Sequence, residues 1–219
     1  MLPLGSHPTQ AIALQRHVAA AVEREDRLPE PIRTVAGIDV SYGARGRATR
    51  ARGAAVLLDA QTLEVLDQAT VECATTFPYI PGLLTFREAP VAITALEALS
   101  ARPDLIVCDG QGIAHPRRCG VASHLGLALD LPSIGAAKSR LTGFCDEPGL
   151  ARGSCSPLLD NTEVIGACLR TRTGVAPMWI SIGHRVSLAS AIRLVLQFAP
   201  RFRMPEPTRL ADRLSKARA

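Results

Sequence analysis

The chain has 219 residues, 47% of them hydrophobic, enough to bury one substantial core and too few to require two domains. A net charge of +5 fits a polyanionic partner without demanding one, and the six cysteines (Cys73, Cys108, Cys119, Cys145, Cys155 and Cys168) show neither a Cys-x-x-Cys pair nor zinc-site spacing. No stretch resembles a signal peptide or a membrane span, so the expectation is a reducing, cytoplasmic compartment and no membrane partner.

Residues 9–28 place Ile12, Leu14, Val18 and Val22 at near-helical spacing, and Pro29 and Pro31 end the pattern, which predicts an N-terminal amphipathic helix. Apolar runs at 35–40, 53–58 and 65–71 read as an antiparallel meander, with an Arg/Gly-rich first turn at 43–52. Residues 77–88 are a Pro/Gly-punctuated loop, and a helical pattern resumes over 90–100 through Val91, Ile93, Leu96 and Leu99. Residues 105–109 read as a short strand opening into a Gly110/Gly112 loop, 117–129 as a helix and 132–136 as another strand, an order that implies parallel pairing. Residues 143–161 read as a loop, 164–169 and 176–182 as a hairpin, and Ser187 as the cap of a last helix to about 198. A basic tail follows from about 201 to 218. The expected fold class is α/β: one mixed sheet, an antiparallel meander plus parallel strands, flanked by helices.

Asp39 and Asp109 stand at or within apolar strand runs, where an ionised carboxylate is costly unless something positive meets it. Two readings are open for each: a ligand to a shared divalent cation, or a locally satisfied aspartate, bonded to backbone amides at Asp39 or forming an Asp-Gly turn at Asp109. Glu88, just before Pro90, either complements a helix dipole or completes an oxygen-rich site suited to Mg²⁺ or Mn²⁺. His115 and His184 lie in loop-like stretches, as structural histidines or as groups able to orient water or protonate a leaving oxygen. Lys138 and Lys216 are the only lysines beside twenty-three arginines, so Lys138 is either a chance surface residue or a compact ammonium for a phosphate. In Pro78-Tyr79-Ile80-Pro81 two prolines stiffen an aromatic tip that either packs inward or wedges into a base stack.

Several ordered motifs then resemble one family. Gly-Ile-Asp-Val-Ser-Tyr at 37–42, Pro-Tyr-Ile-Pro-Gly-Leu-Leu-Thr-Phe-Arg-Glu at 78–88 and Asp-Gly-Gln-Gly-Ile-Ala-His-Pro-Arg-Arg at 109–118 are similar to endonuclease V, repair nucleases acting at deoxyinosine. Ala-Ser-His-Leu-Gly (122–126), Gly-Ala-Ala-Lys-Ser-Arg-Leu (135–141), Gly-His-Arg-Val-Ser (183–187) and Pro-Glu-Pro-Thr-Arg (205–209) extend the likeness over most of the chain. The resemblance implies a single ribonuclease-H-like domain and a Mg²⁺-dependent cut (Mn²⁺ substituting) at the second phosphodiester bond 3′ to inosine, leaving 3′-hydroxyl and 5′-phosphate ends. It implies Asp39, Glu88 and Asp109 as acidic metal-site residues, with His115, Lys138 and His184 around the metal and scissile phosphate. Tyr79, with Pro78, Ile80 and Pro81, would form a strand-separating wedge, and backbone around Leu83, Gly110, Gly112 and Ile113 the base pocket. The expected partner is inosine-containing DNA, single- or double-stranded, bound by a monomer. Gln111, where related sequences often carry histidine, and the 145–160 loop depart from the pattern and bear on substrate preference. The rival readings are a ribonuclease-H-like nuclease acting on RNA inosine or branched DNA, and a non-catalytic nucleic-acid-binding module. The intact acidic positions and Lys138 speak against the latter.

Overall fold

In a computed structural model, which describes residues 7–42 and 50–217, the elements are α1 (Pro8–Ala19), β1 (Thr34–Tyr42), β2 (Arg50–Asp59), β3 (Val65–Ala74), α2 (Leu84–Glu97), β4 (Leu105–Cys108), α3 (Val121–Leu129), β5 (Ser133–Ala137), β6 (Cys155–Asp160), β7 (Glu163–Leu169), β8 (Met178–His184), α4 (Leu188–Phe198) and α5 (Glu206–Lys216). The strands form one mixed sheet in the order β3-β2-β1-β4-β5-β8-β7-β6. β1, β4 and β5 pair in parallel and the other neighbours are antiparallel, so the meander and the crossover strands take their expected places. Most of the expected first turn, residues 43–49, lies outside the described residues.

Period-two alternation assigns the two faces of the sheet. Val35, Val107 and Ile134 point to one layer, where Leu194, Val195 and Phe198 of α4 and Ala211 of α5 cover them. Ala36, Ile38, Ile106 and Cys108 point to the other, beneath Ala89, Ala92 and Leu96 of α2 and Ala122 and Leu125 of α3. β4 is buried along its whole length, as a central parallel strand between two helical layers requires.

Five elements differ from the expectation, each for a tertiary reason; α3, for one, begins at Val121 rather than 117 because Arg117 N donates to His115 Nδ1 and Arg118 N to His115 O. α1 stops at Ala19 because residues beyond it bond elsewhere: Arg185 N donates to Glu23 O, Arg27 N to Arg185 O, and Asp26 accepts from Ser187 at the start of α4. α2 begins at Leu84 rather than near 90 and runs through Pro90; burial of Phe86, Ala89, Ala92 and Ile93 outweighs the backbone bond that proline removes. The loop expected over 143–161 contains β6, an edge strand with only Leu158 and Leu159 as large apolar residues, and Pro157 is tolerated because an edge need not donate on both sides. The basic tail from 201 is ordered instead as α5, which lies across β1 and β2.

α5 sits so close to β1 that residue 37 has to be glycine. A Cβ there would lie 2.0 Å from Pro207 O. Gly37→Ala is expected to push α5 outward and cost about 1–3 kcal/mol, read as a lowered midpoint in urea unfolding; an unchanged midpoint would mean that α5 is not held by this contact.

Candidate active site

Parallel pairing brings the two strand carboxylates together. Ile38 of β1 is opposite Cys108 of β4, so Asp39, inside β1 just past the last residue that pairs with β4, and Asp109, which follows the carboxyl end of β4, emerge side by side. Such strand ends are open to a ligand. The helices of both layers then reach over the same edge. α5 contributes Asp212, and Asp39, Asp109 and Asp212 offer oxygens that all lie within 4.8 Å of one another. From the opposite layer α2 contributes Glu88, which lines a small cleft with Asp39 and Asp109.

The electrostatics record the crowding. Burial, with the like charges of Asp39 and Asp109 adding, pushes the Glu88 carboxyl up to about 8. Asp39 is raised too, by burial first and then by Asp109 and Asp212, against a 2.5 Å hydrogen bond that Ser215 Oγ donates to its Oδ2. Burial alone would raise Asp212, but Lys138 and Lys216 hold it below its ordinary range. Lys138 Nζ lies 2.6 Å from Asp109 Oδ2 and 2.8 Å from Asp212 Oδ1, and Lys216 Nζ lies 2.7 Å from that same Asp212 oxygen. The only two lysines of the chain thus meet on one carboxylate. Two ammonium groups among four carboxyls leave the cluster acidic, and an all-oxygen donor set suits a hard divalent cation such as Mg²⁺ or Mn²⁺.

Beside the cluster opens a cavity of about 390 Å³ whose walls include Tyr79, Gly82, Glu88, Asp109, Gly110 and Lys138. Tyr79 is 70% exposed at its rim. Pro78 is exposed beside it, Ile80 packs partly against the Phe77 and Phe86 cluster, and Pro81 lines the cavity. Of the four expected base-pocket positions, Gly110 lines this cavity. Leu83 is instead buried under the tip with Phe77 and Phe86, and Leu84 takes the wall. Gly112 and Ile113 lie behind it, where Gly112 packs against Ile182 O and Ile113 N donates to the same carbonyl.

The two histidines separate. His115 also lines the cavity, but both of its ring nitrogens are engaged: Nε2 meets Gly82 O at 3.0 Å and Nδ1 accepts from Arg117 N at 3.1 Å. A carbonyl only accepts, so Nε2 carries the proton. Burial, then Arg117, pushes its pKa down to about 4 and keeps the ring neutral. It braces the Tyr79 loop against the loop after β4 and has no lone pair free for a general base. His184 pairs with Ser133 at the start of β5, whereas Lys138 follows its end, five residues and roughly 16 Å away. There His184 Nδ1 accepts from Glu23 N, and the acidic cluster does not include it.

Asp212 is the site residue that sequence reasoning missed. It lies in a segment read as a basic tail, where the signal of a helix is the short apolar stripe of Leu210, Ala211 and Leu214 set among charged residues.

A sequence model of the family described as Endonuclease V matches residues 16–213. The chain is 49% identical to Endonuclease V of Nostoc punctiforme over 209 residues, 95% of this chain and 94% of that protein. It superimposes on the crystal structure of Endonuclease V from Streptomyces avermitilis with a TM-score of 0.91 at 44% identity, covering 98% of this chain and 95% of the other. It is similar as well to Endonuclease V of Ciona intestinalis in complex with a 23mer DNA containing an inosine followed by a ribo-adenosine, with a TM-score of 0.82, 25% identity and 95% of each chain covered.

Proposed function

Because this chain belongs to the endonuclease V family, a family of nucleases on a ribonuclease-H-like fold, we propose that it is a Mg²⁺-dependent endonuclease that hydrolyses the second phosphodiester bond 3′ to deoxyinosine, leaving 3′-hydroxyl and 5′-phosphate ends. The observation that carries this reading is the convergence of Asp39, Asp109 and Asp212 on one point, from β1, the end of β4 and a helix of the covering layer, beside a cavity rimmed by an exposed tyrosine.

Asp39, Asp109 and Asp212 would hold the cation, with Glu88 joining once it gives up its proton. When bound, the ion supplies Lewis-acid polarisation of the scissile phosphate and a lower pKa for the attacking water. Lys138 is held charged between Asp109 and Asp212, so it presents an ammonium to the phosphoryl oxygens as negative charge builds there. Ser215 fixes one oxygen of Asp39 and thereby orients the other. His115 acts at one remove, by holding Gly82 and with it the Tyr79 tip. Water attack at phosphorus breaks the bond to the 3′ oxygen, which leaves as the hydroxyl end.

The cavity suits a base that has left the stack, a step that costs less for a mispaired base than for a paired one. Tyr79→Ala is expected to weaken binding to inosine-containing duplex by roughly tenfold or more, with a smaller loss on single strands. Gel-shift titrations of both forms test this, and equal losses would remove the wedge role.

A nicking assay on an oligonucleotide with one inosine, with and without Mg²⁺ and with the cut position mapped, tests the function itself. A second reading, cleavage 3′ to inosine in RNA, is favoured by the ribo-adenosine after inosine in the Ciona complex. Matched RNA and DNA strands in the same assay separate the two.

A further inference from the structure

The last pair of the β5–β8 ladder is Ala137 opposite Trp179, so the carbonyls of Lys138 and Pro177 lie just past its end, where a sheet is prone to fray. Arg203 closes that end. Its Nη2 donates to Lys138 O and to Pro177 O, at 2.8 Å each, which uses both hydrogens of that nitrogen. Thr171, itself buried, donates from Oγ1 to Arg203 O at 2.6 Å and so fixes the root of the side chain. Arg203 Nε, by contrast, is buried without a partner. A buried donor left unpaired is costly, and an apolar side chain would fill the same space without that cost, so the guanidinium is accounted for by the two carbonyls it holds.

Lys138 and Asp212 meet from segments 74 residues apart, the end of β5 and helix α5. Arg203 stands in the connection between α4 and α5, shortly before α5 begins at Glu206. It therefore ties the backbone root of Lys138 to the segment that carries Asp212. A lysine has a long flexible stem and a compact ammonium, so the place that Nζ can hold depends on where its backbone is fixed. With Nζ at 2.6 Å from Asp109 and 2.8 Å from Asp212, there is little slack for that root to move.

We propose that Arg203 is a positioning residue for Lys138: its clamp on the Lys138 and Pro177 carbonyls sets the lysine at the distance from α5 at which Nζ presents its charge to the scissile phosphate. The proposal rests on the reading of Lys138 as the ammonium that faces the phosphoryl oxygens. Arg203 lines neither the cavity beside the acidic cluster nor the small cleft at Glu88. Its removal should therefore act on the rate of cleavage and leave binding alone.

The test is a double-mutant cycle of wild-type protein, Arg203→Met, Lys138→Met and the double variant, on an oligonucleotide with one deoxyinosine. Single-turnover nicking in saturating Mg²⁺, gel-shift affinity and the urea-unfolding midpoint are read for all four. Arg203→Met is expected to slow nicking by roughly tenfold or more, with affinity unchanged. On the Lys138→Met background the same substitution should slow nicking no further, although it lowers the unfolding midpoint equally on both. A merely structural role would instead lower the rate by the same factor with or without the lysine. Equal rate losses on the two backgrounds overturn the proposal, as does an unchanged rate in Arg203→Met or a normal rate in Lys138→Met. Arg203→Lys, whose ammonium ends one atom short of the guanidinium nitrogen, carries the same cycle with a smaller rate loss and decides the matter if Arg203→Met does not fold. If wild-type protein does not nick the oligonucleotide, the nuclease reading itself fails and this proposal falls with it; if it nicks and the cycle is additive, only Arg203 is misassigned.

Discussion

Asp39→Asn is expected to lower nicking of inosine-containing DNA by roughly a thousand-fold or more, well beyond the ~10–100-fold typical of groups that only support metal ligands. The amide keeps the shape of the side chain and can still accept from Ser215 Oγ, so the fold and the cavity survive while the charge that would hold the cation is gone. Binding to inosine DNA should persist, because Tyr79 and the cavity walls are untouched. Asp212→Asn should produce a loss of the same order and also free Lys138 and Lys216 from their shared oxygen. Single-turnover nicking in saturating Mg²⁺, with gel shifts in parallel, measures both. Near-normal turnover by either variant would remove that carboxylate from the site.

Asp39 and Asp109 were legible in the sequence because a charge inside or at the end of an apolar run is conspicuous. Asp212 was not, and the reason lies in how α5 packs. Its buried face consists of Pro207, Thr208, Ala211 and Ser215, small residues needed because the helix lies almost in contact with β1 at Gly37. Leu210 and Leu214 pack on the core beside Ala211, but two leucines among so many charges are a short signal, and the charged outer face reads as a solvated tail. Pro90 misled for a related reason: the rule that proline ends a helix is local, whereas α2 is held by the apolar face it presses onto the sheet. β6 was hidden because an edge strand buries little.

The histidines show a different limit. Residue type and neighbourhood made His115 and His184 equal candidates, but chemistry depends on which nitrogen is free and which end of the sheet is near. The fold occupies both nitrogens of His115 and places His184 at the far end of β5. Both are answers that only long-range pairing provides. The two lysines make the converse case, since their rarity in the sequence acquires meaning once both are seen on Asp212.

The acidic cluster should also make stability depend on pH and on divalent cations in a way traceable to Glu88. Its folded pKa, about 8, lies above the ordinary 4.5, so between these values the native state keeps a proton that the unfolded chain has released. The stabilisation that follows is fully present below about 4.5 and is lost as pH rises through about 8. At 1.36 kcal/mol per unit this is on the order of 3–5 kcal/mol for a buried group. His115 works in the opposite sense but in another window. Its folded pKa of about 4 lies below the ordinary 6.5, so its contribution is complete above 6.5 and lost on acidification. Thermal melts in a chelator from pH 6.5 to 9 lie above the histidine window, and comparison with a Glu88 variant separates this carboxyl from the buried thiols of Cys108 and Cys119, which burial also raises. Wild-type protein should lose stability across that range and Glu88→Gln, which cannot ionise, should lose markedly less. Added Mg²⁺ should restore the wild type most at the alkaline end, since cation binding must displace the Glu88 proton and becomes easier as that proton leaves. Parallel pH profiles for the two proteins in chelator would mean that Glu88 does not hold this proton, and an equal gain from Mg²⁺ in the two proteins would take it out of the cation site.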